Sequence, residues 1–224
     1  MIKIAISGTH GVGKTTLANR LIKTLSKRFD PKTELLLIPE YIRSDLRKDI
    51  GEQQTEDATL FYIRKAMNTF HIVNGLTLPK VVVFDRPWFD TAIDYLAAKA
   101  MKNGTTKAQK RRYIEDEVIS LFTKAQFAEA IAIYKHYDII IFNRLPKSQY
   151  DRQPEDDGVR LQSIEFRNLV NDFFCSLYTP YLKRRSELLP RTRIVINMNP
   201  LGCRCSVSSF MRNLIGNEIL PAIC

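Results

Sequence analysis

The sequence predicts an α/β protein: a mostly parallel, five-stranded sheet covered by helices on both faces, in three α/β/α layers. Three observations carry that expectation. Five short apolar runs, IKIAIS (2–7), ELLLIP (34–39), KVVVFD (80–85), YDIIIFN (137–143) and RIVIN (193–197), read as buried strands. Longer segments with helical spacing separate them. The polar motifs that could carry chemistry fall at the carboxyl ends of these runs, where open parallel sheets bind ligands.

Each element has its own signal. In the first run, four of the five residues before Ser7 are apolar. Residues 14–28 form a helix with Leu17, Ala18, Leu21, Ile22 and Leu25 on one face. Residues 55–75 read as a long amphipathic helix ending near Gly75, and helix resumes after Pro87, a residue suited to a first helical turn. Residues 107–134 read as one or two helices. The stretch 144–158 is polar and contains proline, hence a loop. Helix is expected over 161–185, bent or ended near Pro180, and again over 206–219. There is no internal repeat and no low-complexity linker, so 1–224 is read as one domain, with 144–160 as a lid.

Bulk properties narrow the class. A hydrophobic fraction of 45% and a charged fraction of 26% are ordinary for a globular chain. No uninterrupted apolar run approaches the ~20 residues that span a membrane, and the amino terminus lacks the pattern of a secretory signal, so a cytoplasmic setting is expected. Cys175, Cys203, Cys205 and Cys224 form no CxxC pair and have no histidine at zinc-ligand spacing, so they read as ordinary thiols, with Cys175 in the core. Charge is the unusual quantity: 34 Lys and Arg against 24 Asp and Glu give +10. The basic residues gather in KAQKRRY (107–113) and LKRRSELLPRTR (182–193). Such clusters read as solvated faces or as contacts to a polyanion, either a nucleotide or a nucleic-acid backbone.

The most specific stretch is ISGTHGVGKTT (6–16), which contains G-x-x-x-x-G-K-T between strand and helix. Gly8, Gly11 and Gly13 let the backbone wrap its N–H groups around phosphate oxygens, and the helix that follows presents its positive end. Residues Thr9, His10, Gly11, Val12, Gly13, Lys14, Thr15 and Thr16 are the nucleotide-binding set. Lys14 supplies a charge at the β/γ-phosphates of ATP and Thr15 a hydroxyl for Mg²⁺. The side chains of His10 and Val12 are read as incidental. Asp85, at the end of the third run, suits the magnesium shell, the alternative being a helix-capping role before Pro87.

The identity of the phosphate acceptor is the open question. The base-reading N/T-K-x-D of regulatory GTPases and the L-S-G-G-Q of transporter ATPases are absent from the sequence. PEYIR supplies Glu40 and Arg43, and DRPWFD supplies Asp85, Arg86 and Asp90. A hydroxyl acceptor needs positioning and a carboxylate base, which Glu40 can provide; a phosphate acceptor needs an arginine clamp, for which Arg86 and Arg43 serve. Asp90 and Asp94 are read as stabilisers of their helix rather than substrate contacts. The polar stretch after the fourth strand carries Arg144, Lys147, Arg152 and Arg160, and a lid there would exclude water and bring guanidinium groups to the transferring phosphoryl. Phe61, Tyr62, Phe70, Trp88, Phe89 and Tyr95 are core or base-stacking aromatics, with Trp88 the favoured stacking residue.

GTHGVGKTT, PEY, FDRPWFD and EDDGVR, in that order and spacing, resemble the P-loop kinase group that contains nucleoside and thymidylate kinases. They are most similar to its ribosylnicotinamide-kinase-like branch and the AAA-type ATPase-like proteins grouped with it. The resemblance spans 2–197 and implies a P-loop NTPase fold. It implies Lys14 and Thr15 as ATP–Mg²⁺ ligands, Glu40 or Asp85 facing an acceptor hydroxyl, and Arg86 and Arg160 stabilising charge; among the lid arginines the residues themselves favour Arg160, with Arg144 and Arg152 behind it. It also places an adenine pocket at 197–202. The lid departs from the compact R-x-x-x-R pattern of many deoxynucleoside kinases, which leaves the acceptor open. The leading expectation is an ATP:Mg²⁺ phosphotransferase acting on a nucleoside, nucleotide or similar small molecule. A kinase acting on a nucleic-acid hydroxyl, such as a hydroxymethylated base, and a regulatory ATPase or binding module are the alternatives.

Overall fold

The structure is a computed structural model that describes residues 1–40, 56–102, 137–152, 163–183, 193–197 and 204–223. Strands β1 (Ile2–Ser7), β2 (Leu35–Ile38), β3 (Val81–Asp85), β4 (Ile139–Asn143) and β5 (Arg193–Asn197) form one sheet in the order β2-β3-β1-β4-β5. Every neighbouring pair is parallel. Helices α1 (Lys14–Leu25), α2 (Glu56–Asn74), α3 (Trp88–Lys102), α4 (Ile164–Lys183) and α5 (Arg204–Leu214) accompany it. After α5 the chain widens to a π-helical turn, Ile215–Ile219, and closes with Leu220–Ile223.

The period-two alternation of the strands divides the core in two. Ala5, Val82, Phe84, Ile140 and Phe142 face one side and pack against Phe70 and Val73 of α2, Ile93 and Ala97 of α3, and Phe166, Val170 and Phe173 of α4. Ile2, Ile4, Ile6, Val81, Val83, Ile139 and Ile141 face the other, against Leu17, Leu21 and Leu25 of α1 and Met211, Leu214, Ile215 and Ile219 at the carboxyl end. Both faces are dry, which is why these runs are continuously apolar rather than alternating with polar residues. Burial of each large side chain contributes about 1.5–3 kcal/mol.

Several local expectations are sharpened. Helix α4 runs through Pro180 to Lys183 without ending there; so close to the last turn, proline removes only one backbone hydrogen bond. Among the aromatics, Tyr62, Phe70 and Tyr95 are buried while Phe61 is exposed. Cys175 is half-buried against the α4 side of the core. The helices expected over 107–134, the basic stretch 107–113, most of 182–193, Arg43 and residues 153–162 lie outside the described residues, as do the side chains of Trp88 and Phe89.

The topology puts the site at one edge of the sheet. From β1 the chain turns toward β2, and from β4 toward β5, so a crevice opens beyond the carboxyl ends of β1 and β4.

Candidate active site

The segment after β1 folds as a glycine-rich loop that leads into α1. Gly8, Gly11 and Gly13 all have positive φ (141°, 69° and 77°), and Gly13 caps α1 from the left-handed region. Gly8 is also required by space, because a Cβ there would stand 2.5 Å from the carbonyl oxygen of Asn143. That closeness fastens the loop to the end of β4. The Asn143 amide donates to the carbonyl of Val12 at 3.3 Å, and the Asn197 amide donates to Asn143 Oδ1 at 3.0 Å. Asn143 was not singled out from the sequence; its position at the last residue of an apolar strand was the available signal.

Lys14 is buried, and its ammonium donates to the carbonyls of Gly8 (2.7 Å) and Thr9 (2.8 Å). It thus lies inside its own loop, in reach of any anion the cradle takes. Thr15 is half-buried and Thr16 exposed at the start of α1. The side chains of His10 and Val12 are both buried. The imidazole of His10 stacks on Phe166 of α4, with centroids 5.1 Å apart and planes 24° apart. The Thr9 hydroxyl donates to the carbonyl of Arg167 at 2.9 Å. The apex of the loop is therefore seated on the first turn of α4.

Beside the loop lies a buried charge cluster built from the ends of β2 and β3. Asp85 closes β3, opposite Ile6 in the register, and is buried. Arg86 follows in the left-handed region at φ 89°, a conformation that costs about 1–3 kcal/mol in a non-glycine residue. Its surroundings hold it there. Its backbone N–H donates to Ile6 O at 3.2 Å, and its guanidinium donates to Glu40 Oε1 at 2.6 Å and to Asp94 Oδ2. Its Nε stands 3.9 Å from Asp90 Oδ2. Glu40 and Arg86, 46 residues apart, thus meet with side chains 3% and 4% exposed.

Asp90 and Asp94 do more than stabilise a helix end. Asp94 is a partner of Arg86, and Asp90, completely buried, accepts from the Ser7 hydroxyl at 2.6 Å and from the Gly8 N–H at 3.2 Å. Burial pushes the Asp90 carboxyl up to about 6, against the pull of Arg86, Lys14 and those two hydrogen bonds. The sequence holds a weak sign of this: Asp90 lies four residues after Arg86, one helical turn along.

The segment after β4 is bolted to α4. The buried Arg167 guanidinium donates to the carbonyls of Gln149 (2.7 Å) and Arg152 (2.6 Å), and burial lowers its pKa. Asn168 donates to Tyr150 O at 3.0 Å, and Asn171 accepts from Leu145 N–H at 2.9 Å and donates to the Tyr150 hydroxyl at 2.9 Å. Arg144 sets its side chain beside the Cys175 thiol, whose pKa burial raises. Arg160 lies outside the described residues. Of the proposed catalytic set, the structure gathers Lys14, Glu40, Asp85 and Arg86 around the start of the loop.

Among the described residues no group of three or more His, Cys, Asp or Glu side chains forms a metal cage, and no helix is long and apolar enough to cross a membrane.

A deoxyadenosine kinase from M. mycoides, with the products dCMP and a flexible dCDP bound, superposes with a TM-score of 0.60 at 14% identity, over 96% of this chain and 100% of that one. The same kinase with bound dATP gives 0.58 at 17% identity, over 96% and 99%. A search of curated proteins found none that matches. The chain thus shares the fold of these two structures. The model of one protein family, described as AAA domain, matches residues 3–189, most of the chain, and the chain belongs to that AAA domain family.

Proposed function

We propose that this chain is an ATP- and Mg²⁺-dependent phosphotransferase that passes the γ-phosphate to a hydroxyl of a nucleoside-like small molecule. The observation that carries the reading is the buried Glu40–Arg86 pair, 2.6 Å apart, set beside a phosphate-binding loop whose lysine is in place. The nucleotide-bound kinases of the same fold support it.

The charge of the cluster favours a hydroxyl over a phosphate as acceptor. Glu40, Asp85, Asp90 and Asp94 stand against Lys14 and Arg86, and Arg86 is already engaged by Glu40 and Asp94. An acceptor phosphate would enter net negative charge at a place where Arg86 is already engaged. A neutral hydroxyl meets a carboxylate, which is what proton removal needs. In this reading Glu40 takes the hydroxyl proton, Arg86 orients Glu40, and Lys14 with the loop N–H groups holds the phosphates in line.

Mg²⁺ takes few protein ligands and keeps waters and phosphate oxygens, and the Thr15 hydroxyl and the Asp85 carboxylate are the residues that would hold it. When bound it supplies charge neutralisation at the phosphates. The formal charge of +10 favours a second reading, in which the hydroxyl belongs to a nucleic acid.

The test is transfer of labelled γ-phosphate from Mg·ATP to nucleosides, nucleoside monophosphates, ribosylnicotinamide, and DNA with and without hydroxymethylated bases. Label is expected on a nucleoside, lost with Lys14→Ala and reduced about 100-fold or more in kcat with Glu40→Gln at little change in KM for ATP. Label on DNA would establish the second reading. Lys14-dependent release of free phosphate alone would mark a regulatory ATPase and end the kinase reading.

A further inference from the structure

We propose that Asp90 is a positioning residue that couples the two halves of the site, so that the state of Arg86 on the acceptor side sets the affinity of the loop for nucleotide. The proposal rests on the phosphotransferase reading above and assigns the communication within it.

The geometry is a continuous polar chain. Glu40 and Asp94 orient the Arg86 guanidinium, and its Nε faces Asp90. Asp90 Oδ1 accepts from the Ser7 hydroxyl, and Oδ2 from the Gly8 N–H. The carbonyl of the same Gly8 accepts from Lys14. Gly8 is therefore held from both ends, by Asp90 at its N–H and by Lys14 at its C=O. It cannot drift sideways either, since the Asn143 carbonyl already crowds it.

Two features make this chain responsive as well as rigid. Nucleotide phosphates entering the cradle compete for the Lys14 ammonium and loosen its hold on the Gly8 carbonyl, leaving Asp90 as the anchor of that residue. On the other side, the Arg86 Nε is buried without a hydrogen bond, 3.9 Å from Asp90 Oδ2. A movement of about 1 Å would turn that approach into a charge-assisted hydrogen bond. An acceptor hydroxyl that engages Glu40 alters its grip on Arg86 and so the Arg86–Asp90 separation. Nucleotide affinity follows, and by linkage the nucleotide changes acceptor affinity by the same factor. An aspartate that merely stabilises the first turn of α3 would leave Arg86 and the loop independent.

The test is a double-mutant cycle read out as ligand affinity. The Kd for a Mg²⁺-bound, non-hydrolysable ATP analogue is measured by titration calorimetry at pH 7.5 for wild type, Arg86→Gln, Asp90→Asn and the double variant. Arg86→Gln is expected to change the Kd about tenfold in the wild-type background and less than about twofold beside Asp90→Asn. If Asp90→Asn does not fold, Ser7→Ala replaces it as the background, expected to cut the effect of Arg86→Gln to about threefold or less. Equal effects of Arg86→Gln in both backgrounds, or no effect in either, would overturn the coupling while leaving the kinase reading intact. A wild type that binds no nucleotide would overturn both.

Discussion

At the scale of single residues, burial decides which polar groups matter. Asp90 and His10 illustrate it. Both stand in motifs visible in the sequence, but periodicity does not reveal what a polar residue meets across the fold. The Asp90 carboxyl, pushed up to about 6 by burial, makes stability depend on pH in a definite direction. An unfolded aspartate titrates near 3.9, so between about pH 4 and 6 the native state keeps a proton that the unfolded chain has lost. The contribution is fully present below about pH 4 and falls as pH rises through 6. Urea unfolding should show wild type losing on the order of 2–3 kcal/mol relative to Asp90→Asn across that window, since the comparison cancels the other titrating groups. A constant difference between the two proteins would mean that Asp90 titrates as an exposed carboxylate does.

At the scale of elements, α4 is the support of the nucleotide loop. Phe166 carries His10, the Arg167 carbonyl holds Thr9, and the Arg167 side chain gathers the carbonyls of Gln149 and Arg152. None of this is legible in the sequence, where 161–185 reads only as a helix and Arg167 as one cation among 34 Lys and Arg. Removing the guanidinium takes its charged donor from both carbonyls and leaves Gln149 O only the Arg152 N–H at 3.1 Å; hydrogen bonds to charged groups contribute about 1.5–3 kcal/mol. Arg167→Ala should therefore raise amide exchange over 149–152 at least about tenfold while β1 and β3 stay protected. Uniform deprotection of the sheet would instead make Arg167 a determinant of global stability.

At the scale of the whole molecule, charge and site pull in different directions. The chain carries +10 overall, whereas the buried cluster beside the loop is rich in carboxylates. A neutral acceptor is indifferent to the outer field, and a polyanionic one is not. The KM for a nucleoside acceptor should change by less than about threefold between 50 and 200 mM salt. A DNA acceptor held by 6–10 phosphate contacts would lose about 10³–10⁵ in affinity over the same range. Steady-state kinetics at the two salt concentrations distinguishes them.

The sequence by itself determined the layered α/β architecture, the five strands, the glycine-rich loop before α1 and the Glu40, Asp85 and Arg86 positions at strand ends. These are local properties: apolar runs, glycine spacing, and residues adjacent in the chain to the elements that carry them. Only the tertiary structure decided that Glu40 pairs with Arg86, that Asp90 joins Arg86 to Gly8, that Asn143 crowds the loop, and that the side chains of His10 and Thr9 rest on α4. Most of those contacts close over separations of 46 to 158 residues. Which polar group ends beside which is set by strand order and crossover direction, and no local pattern encodes either.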